Sequence, residues 1–467
     1  MKNYIKFSLL FLQAIAIICV VVILNFFIIY RVFIRLLGFC LCVRLFSKQI
    51  IFAYKTLYVI FICFFPSLGI LFYLLNSVNN CKKLVIPKLK KNNKNLTNCS
   101  KTSNYIRTAF SGLEYPAENL RYYADGKKYF NALFWQIKNA KNFILLQYFI
   151  VKDGKLLTEL FSLLKDKSAS GVKVYFLYDA FGSMKMEKQI IKFAFDNKIN
   201  AKSFNPIGYI ISSKINNRHH GKIAVIDGKI GFLGGVNVGD EYVNEHRRFG
   251  RWKDGGLSFS GGAVQGLINI FNDNYGNQVI KPQTAISETQ KNNSAISVFS
   301  SKPTAGVSDI VEVYLTALYN AKKTITACTP YLVLDESVKN ALISAVKRGV
   351  EVKIIVPEIP DKKTVYEVTL AYAGELEKQG VKIYTYKSGF IHSKNTVIDG
   401  KYTITGSGNL DYRSMYLHYE SCALIKSVAF GKRVEKDILG NIKNYKDGRS
   451  RIRRIIGGIL KVFAPLM

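Results

Sequence analysis

The hydrophobic and polar positions divide the chain into an apolar beginning and a longer alternating part. Residues 7–30 contain no charged side chain, and residues 56–75 form a second uncharged run. At about 1.5 Å of helical rise per residue, each run is long enough to cross a hydrocarbon core of about 30 Å. The first run is too long for a typical signal peptide and has no small-residue cleavage motif. The pattern predicts two uncleaved transmembrane helices, a helical hairpin, within residues 1–76.

Positive charges near these runs predict their orientation. Two spans would place the amino terminus and everything after residue 76 on one side, with eight lysines near the spans against four positive residues in the intervening loop. Positive charge favours the cytoplasmic side, so we expect a multi-pass protein of the cell membrane with its large domain in the cytoplasm. Residues 77–104, rich in Lys and Asn, are predicted to form a basic solvated linker.

Beyond the linker, apolar strand-like runs alternate with helical patterns near 156–168 and 336–348, which predicts an α/β fold of layered sheets flanked by helices. The segment HGKIAVIDGKIGFLGGVN, from residue 220, matches HSKNTVIDGKYTITGSGN, from residue 392, at nine of eighteen positions. The matches include His, Lys, Asp and Asn, so they indicate chemistry as well as packing. We expect two repeats, residues 105–285 and 286–448, related by a pseudo-twofold axis that brings both histidines to one site.

Each repeat carries a His-x-Lys pair at the start of a predicted strand. Residues two apart in a strand point to the same face, so His220 lies beside Lys222 and His392 beside Lys394. One imidazole can attack phosphorus while the other exchanges protons with the leaving and entering oxygens. The two ammonium groups supply the positive charge that a phosphate requires, so no metal and no cofactor is expected.

Three further side chains follow the two strands and could donate hydrogen bonds to phosphate oxygens. They are Asn237, Asn409 and Ser407, each at or beside a glycine-rich turn. The first repeat has Gly235 at the position of Ser407, so the site is not fully symmetric.

The overall charge indicates the kind of partner. Lys and Arg number 66 against 32 acidic residues, a formal net charge of +34, which indicates an anionic partner such as nucleic acid or a phospholipid surface. A hydrophobic content of 49% excludes wholesale disorder. The eight cysteines are scattered without a CxxC pair, so neither a zinc site nor a disulfide framework is expected.

The doubled H-x-K-x₄-D pattern resembles the phospholipase D superfamily, whose paired motifs build one active site. Other segments are similar to bacterial cardiolipin synthases, namely GGVNVGDEY, WKDGGLSFSG, YDAFGS, TPY and GSGNLDYRSMYLHYE. This resemblance implies a membrane phosphatidyltransferase that makes cardiolipin and glycerol from two phosphatidylglycerol molecules through a phosphatidyl-histidine intermediate. It also implies phosphatidylglycerol and other anionic phospholipids as partners, and the membrane rather than nucleic acid. The oligomeric state is not indicated.

Three alternatives remain open. The same machinery would be a phospholipase D-type hydrolase if water accepted the phosphatidyl group, or a transphosphatidylase if another lipid were donor or acceptor. A nuclease of the same superfamily would also suit the positive charge, but it has no use for membrane spans. A non-catalytic basic membrane-surface protein is disfavoured because both motifs are intact.

The resemblance implies His220 as the nucleophile and His392 as the general acid/base. By the same resemblance, the phosphate ligands would be Lys222, Lys394, Asn237, Asn409 and Ser407. The position of His418 is usually Asn in this family, so His418 is a departure.

The acidic residues of the site divide into two kinds. Asp227 and Asp399 complete the catalytic motifs but lie on the opposite strand face, so we expect them to brace the fold. The resemblance implies two other acids that orient the imidazoles. These pairs are Asp254 with His220 and Glu420 with His392.

The carboxyl end, residues 449–467, is basic and amphipathic. It could form a helix in the membrane interface or a helix that caps the second repeat, and the sequence leaves both open.

Overall fold

The computed structural model describes residues 2–48, 52–77, 114–208, 216–281, 294–304, 307–387 and 389–467. The predicted linker 77–104 lies outside these ranges except for its first residue. Within the described part of the chain, one helical segment, Ile5–Leu24, is long and apolar enough to cross a membrane.

The apolar beginning folds into four helices rather than two. Their bounds are Lys2–Leu24, Ile28–Ser47, Phe52–Phe64 and Pro66–Ser77. The prediction of one spanning helix over 56–75 was wrong, because Pro66 divides that run. A proline ring has no N–H and clashes with the preceding helical turn, so a helix ends before it and a new one begins at it.

The remaining helices flank two sheets. They are Gly126–Lys138, Lys155–Ala169, Glu187–Asp196, Val264–Tyr275, Asp309–Tyr319, Glu336–Lys347, Lys363–Lys378, Val428–Leu439 and Arg451–Lys461. Short turns of tighter or wider helix also occur, at Asp240–Val243, Arg413–Leu417 and Ala464–Leu466.

The first sheet contains seven strands in the described residues. In spatial order they are β2 (Glu118–Tyr123), β10 (Gly256–Ser260), β8 (Ile230–Gly234), β7 (Ile223–Ile226), β3 (Phe143–Tyr148), β4 (Lys173–Asp179) and β5 (Asn200–Phe204). Strands β3 to β5 are parallel, and β7 joins β3 antiparallel. The strands at the centre are apolar on both faces because helices or the other sheet cover each side.

The second sheet follows the same order in the later part of the chain. Its main path is β1 (Tyr115–Pro116), β11 (Ala295–Ser301), β18 (His418–Lys426), β17 (Tyr402–Gly406), β16 (Asn395–Ile398), β12 (Thr324–Cys328), β13 (Glu351–Pro357), β14 (Lys382–Tyr386) and β19 (Ile442–Asn444). Along this path, the seven strands from β11 through β14 correspond one by one to the seven strands of the first sheet. The α/β class is therefore confirmed, whereas the boundaries drawn at 105, 285 and 448 stay predictions.

One apolar core joins the two sheets. Leu145, Val225 and Leu257 from the first sheet pack in the same cluster as Ile355, Val397 and Ala423 from the second. The sheets therefore bury one face against each other.

Candidate active site

Two short strands of the first half of the chain pair with strands of the second half. β6 (Arg218–His219) pairs in parallel with the start of β18, and β9 (Arg251–Lys253) pairs in parallel with β15 (Gly389–Ile391). The next residues continue these contacts: the amide of His220 donates to the Tyr419 carbonyl at 2.9 Å, and the amide of His392 donates to the Lys253 carbonyl at 2.7 Å. Each histidine is therefore delivered to a strand that belongs to the other half.

The first imidazole meets an acid at the end of this crossing. His220 Nδ1 lies 3.0 Å from both carboxylate oxygens of Glu420, and both side chains are buried. Because a carboxylate only accepts hydrogen bonds, Nδ1 carries the hydrogen and Nε2 keeps its lone pair. The Ser407 hydroxyl donates to the same carboxylate. This tautomer presents the lone pair of Nε2 on the side of the ring away from Glu420.

The second imidazole has the matching arrangement. His392 Nδ1 hydrogen-bonds Asp254 Oδ2, and the Gly255 amide donates to the other oxygen of Asp254 at 2.8 Å. The expected pairs, Asp254 with His220 and Glu420 with His392, were therefore wrong, because the partners are exchanged. The physical reason is the crossing of β6 and β9, which sets each histidine against an acid from the other half.

The protonation states suit these contacts. Burial lowers the pKa of His220 and of His392 well below the usual range of histidine, so both imidazoles are neutral in the free protein. Burial alone would raise the pKa of the Glu420 carboxyl, but the neighbouring His220 and His418 reverse this and hold that pKa well below its usual range. Burial raises the pKa of Asp254 to about 6, against the lowering effect of Lys394.

The two lysines lie fully buried beside the histidines. Each Nζ donates to the backbone carbonyl of the histidine two residues before it, His220 for Lys222 and His392 for Lys394. Burial lowers the pKa of Lys222 to about 7 and that of Lys394 to about 8. Lys394 also lowers the pKa of Lys222, and Lys222 that of His392, so the two halves share one electrostatic site.

The asparagines of the predicted phosphate-binding set already have partners. Asn237 Nδ2 donates to the Tyr242 hydroxyl at 2.7 Å, and its side-chain oxygen accepts from the Ile150 amide at 3.0 Å. Asn409 Nδ2 donates to Asp411 at 2.9 Å. Each amide nitrogen has a second hydrogen, so phosphate binding by both residues stays a prediction.

Ser407 differs from the asparagines. Its one hydroxyl hydrogen is directed to Glu420, and its oxygen accepts from the Ser421 amide at 3.0 Å. In this arrangement the hydroxyl hydrogen is engaged by a protein acceptor, and phosphate binding by Ser407 stays a prediction. At the matching position in the first half, a Cβ on Gly235 would lie 2.4 Å from Asp254 Oδ1, so no side chain fits there.

Asp227 and Asp399 complete the two catalytic motifs, and the structure shows what each of them contacts. Each lies at the far end of the strand that its histidine precedes, and each binds three backbone amides at the start of a neighbouring strand. The donors are Lys141, Asn142 and Phe143 for Asp227, and Lys322, Lys323 and Thr324 for Asp399. Both have a φ of 54°, a conformation that Asp tolerates better than most residues. They brace the fold as expected, although each lies in the turn just beyond its strand rather than on a strand face.

Aromatic residues that the sequence did not single out form the walls of the site. The ring of Phe149 lies 5.2 Å from that of His220, and the rings of Trp252 and Tyr242 lie 5.2 and 5.6 Å from that of His392. His418 lies 5.3 Å from His220, ring to ring. Their spacing along the chain carries no signal of these contacts, because the residues come from separate segments that meet only in the folded protein.

His220, His418 and Glu420 place three potential metal-ligand atoms within 4.8 Å of one another. This was not expected from the sequence. The ammonium groups of Lys222 and Lys394 are part of the same buried site, and their charge opposes a divalent cation there.

The fold and the site together define the class. Two sheets of the same strand order, each contributing a His-x-Lys pair and an orienting acid to its counterpart, are the arrangement of the phospholipase D-like proteins. Residues 133–247 and 314–440 match the family model described as cardiolipin synthase, PLD-like domain. The chain belongs to this family.

Relatives agree with this assignment, and a solved structure shares the fold. Cardiolipin synthase 2 of Bacillus cereus is 34% identical over 357 residues, covering 73% of this chain and 70% of the relative. Cardiolipin synthase of a Geobacillus species is 33% identical over 365 residues, covering 75% and 73%. The crystal structure of phosphatidylserine synthase from Haemophilus influenzae superposes with a TM-score of 0.61 at 15% identity, covering 79% of this chain and 98% of that one, which shows a shared fold.

Proposed function

We propose that the protein joins two phosphatidylglycerol molecules into cardiolipin and releases glycerol. The observation that carries this proposal is the crossed pair of buried acid–imidazole contacts, His220 with Glu420 and His392 with Asp254. The names of the relatives support the lipid substrate. The fold alone would equally suit another phosphoryl transfer.

In the first step, His220 Nε2 attacks phosphorus of a bound phosphatidylglycerol and the bond from phosphorus to the glycerol oxygen breaks. His392, protonated in the complex with the anionic substrate, gives its proton to that oxygen. In the second step, a hydroxyl of another phosphatidylglycerol loses its proton to His392 and attacks phosphorus. The bond from phosphorus to nitrogen breaks, which returns neutral His220 and releases cardiolipin.

The assignment of His220 as nucleophile draws support from its surroundings. Glu420 contacts its Nδ1–H with both oxygens and is stabilised in the charged form, so the ring stays in one tautomer with Nε2 available. Asp254, whose pKa is raised to about 6, lies closer to proton exchange at neutral pH and faces the ring that must gain and lose a proton. Lys222 and Lys394 are the positive groups that stabilise the phosphate in the transition state.

The membrane arrangement is part of the proposal. We propose that Ile5–Leu24 anchors the protein in the cell membrane, and that Phe52–Phe64 and Pro66–Ser77 enter one leaflet as a pair. Thirteen and twelve residues of helix are about 20 and 18 Å long, too short to cross singly. A multi-pass arrangement is therefore not favoured. The basic residues that follow the anchor favour a cytoplasmic large domain, with phospholipid rather than nucleic acid as its partner.

The test is turnover of phosphatidylglycerol by the full-length protein in mixed micelles with EDTA, with cardiolipin, glycerol and phosphatidic acid resolved. We expect equal amounts of cardiolipin and glycerol, abolished in His220→Ala and in His392→Ala. His246→Ala changes an exposed histidine outside both pairs and is the matched control. Phosphatidic acid as main product would instead show a hydrolase, and equal activity in all variants would refute the two-histidine site.

A second experiment separates the roles of the two histidines. A phosphatidyl ester of p-nitrophenol needs no acid to release its leaving group, so His392→Ala should release nitrophenol once and retain a phosphatidyl group on the protein. His220→Ala should form no such intermediate. Labelled protein from His220→Ala, but not from His392→Ala, would reverse the assignment.

A further inference from the structure

The carboxyl-terminal helix, Arg451–Lys461, exposes a row of isoleucines along its outer side. Ile452, Ile455 and Ile459 are 70%, 56% and 58% exposed, at spacings of three and four residues that place them on one face. Ile456 and Val462 extend the row and are also exposed. Contiguous exposed apolar surface of this kind marks a contact site in water-soluble domains.

The opposite side of this helix is held firmly against the domain. Gly457 is buried, and a Cβ there would lie 3.0 Å from the Glu367 carbonyl. Arg453 pairs with the carboxylate of Glu367, and Lys461 pairs with that of Glu375. The isoleucine row is therefore a fixed surface, and the helix both covers the helix Lys363–Lys378 and presents an apolar face outward.

The isoleucine row lies next to the apolar helices at the beginning of the chain. The Phe463 ring lies 6.4 Å from that of Phe61, in the short helix Phe52–Phe64. Leu460 packs against the core cluster to which Tyr54 and Tyr58 of the same short helix belong. The apolar face of the carboxyl-terminal helix is therefore contiguous with helices whose composition suits a bilayer. Exposed Arg451 and Arg454 lie on the same helix and would meet anionic headgroups.

We propose that the surface of Ile452, Ile455 and Ile459 inserts into the anionic leaflet that holds the substrate, as an interfacial helix. Together with the membrane anchor it gives the catalytic domain a second attachment to the membrane, which fixes the height and tilt of the two histidines above the lipid phosphates. The insertion itself does not depend on the proposed reaction, whereas its effect on turnover does.

Photocrosslinking tests the insertion directly. Full-length protein with p-benzoylphenylalanine at Ile455 is placed in vesicles of phosphatidylglycerol and phosphatidylethanolamine with labelled acyl chains. The same probe at Lys192, exposed on the helix Glu187–Asp196, is the control. We expect lipid adducts at Ile455 and none at Lys192. Adducts to a second copy of the chain, or none at either position, would overturn the proposal.

The effect on catalysis needs a separate comparison. Replacing the three isoleucines with serine should lower turnover of long-chain phosphatidylglycerol in vesicles about tenfold, with turnover of a short-chain monomeric analogue unchanged. Ile191→Ser, at an exposed isoleucine on another helix, is the matched control and should change neither. Equal loss on both substrates would contradict the positioning role. No turnover in the unaltered protein would instead refute the proposed function while leaving the crosslinking result valid.

A second inference concerns His418, through an independent observation. Its side chain is buried, and among the described residues neither ring nitrogen has a hydrogen-bond partner. Its Nδ1 lies 3.6 Å from Glu420, too far for a hydrogen bond. Buried polar groups without a partner are costly, so a group that the structure does not contain is expected to meet this imidazole.

We infer that His418 donates a hydrogen bond to a non-bridging oxygen of the lipid phosphate beside His220. The His418 ring lies 5.3 Å from the His220 ring, which is close enough to contact an oxygen of a phosphate group bound at His220. This inference rests on the proposed function. The other chemistry available to His220, His418 and Glu420 is a divalent cation, which the two buried ammonium groups oppose.

Three variants and one metal titration test this inference. His418→Phe keeps the ring without nitrogen and should raise KM for phosphatidylglycerol about tenfold, since one hydrogen bond to a charged group is lost. His418→Gln restores a donor and should recover most of the affinity, while His246→Ala should leave KM unaltered. An unchanged KM in His418→Phe would refute the inference. So would stoichiometric Zn²⁺ inhibition that EDTA reverses and His418→Phe removes. Inactivity of the unaltered protein would refute the proposed function instead.

Discussion

The two acid–imidazole pairs of the site are built in the same way but differ around the acid. Glu420 receives hydrogen bonds from His220 through both oxygens and from the Ser407 hydroxyl. Asp254 receives one from His392 and one from the amide of the next residue, and Gly235 opposite it has no side chain. The pKa of Glu420 is held well below its usual range, whereas that of Asp254 is raised to about 6.

The difference teaches how a nearly symmetric site can divide two roles. The histidines, the lysines and their backbone contacts match in the two halves, so they cannot assign a nucleophile by themselves. The neighbours of the carboxylates do differ. An acid held in its charged form suits an imidazole that must keep one tautomer, and an acid whose pKa lies near neutrality suits an imidazole that must exchange a proton.

The largest expected effect comes from removing the charge of each acid in turn. Glu420→Gln should lower kcat about 10³- to 10⁴-fold, because the amide no longer selects the reactive tautomer of His220. Asp254→Asn should lower it less for an activated p-nitrophenyl ester than for phosphatidylglycerol, since only the natural leaving group needs the proton from His392. Steady-state kinetics on both substrates measure this, and equal losses in the two variants on both substrates would erase the proposed division of roles.

The pH dependence sharpens the same comparison. As pH falls through about 6, Asp254 becomes protonated and loses the charge that supports His392. As pH rises through about 7 to 8, Lys222 and then Lys394 lose the charge that binds phosphate. We therefore expect kcat/KM to follow a bell-shaped pH profile with limbs near 6 and 7, falling about tenfold per pH unit on either side and more steeply above about 8, where both lysines are neutral.

Two variants identify those limbs. Asp254→Asn should remove the acid limb, and Lys222→Arg should move the alkaline limb up toward 8, where Lys394 titrates. An acid limb that persists unchanged in Asp254→Asn would assign it to another group.

A smaller effect is expected from the residues opposite the acids. Ser407→Ala removes one hydrogen bond to Glu420 and should lower kcat about tenfold. Gly235→Ala should lower it further, because the new Cβ would displace Asp254. The ratio of the two losses, measured as kcat, decides whether packing or hydrogen bonding matters more. An active Gly235→Ala would show that Asp254 tolerates displacement.

The smallest effect on activity is expected at Asp227 and Asp399, which make the same contacts in the two halves of the chain. Asp227→Asn and Asp399→Asn each weaken three hydrogen bonds from backbone amides and should each lower the free energy of unfolding by about 1–3 kcal/mol. Activity per folded molecule should change little in either. Thermal unfolding in detergent measures the loss. A selective loss of activity without loss of stability would return these residues to the catalytic set.

Much of the site could be predicted from the sequence, because the information is local. The spacing of His220 and Lys222, repeated at His392 and Lys394, follows from the alternation of side chains along a strand. The same motif spacing carries Asp227 and Asp399 to the turns just beyond those strands, where they accept hydrogen bonds from backbone amides. The division of the second apolar run at Pro66 was also readable locally, and the prediction of one continuous helix passed over it.

The sequence by itself determined the class of fold, the paired motifs and the residue types of the site, since periodicity and repetition express them within short segments. Only the tertiary structure decided which acid serves which histidine. Glu420 and His220 lie 200 residues apart, and Asp254 and His392 lie 138 apart. Their pairing depends on two short parallel strands that cross between the halves. No local pattern encodes such a crossing, because its strands are stabilised by contacts with the other half.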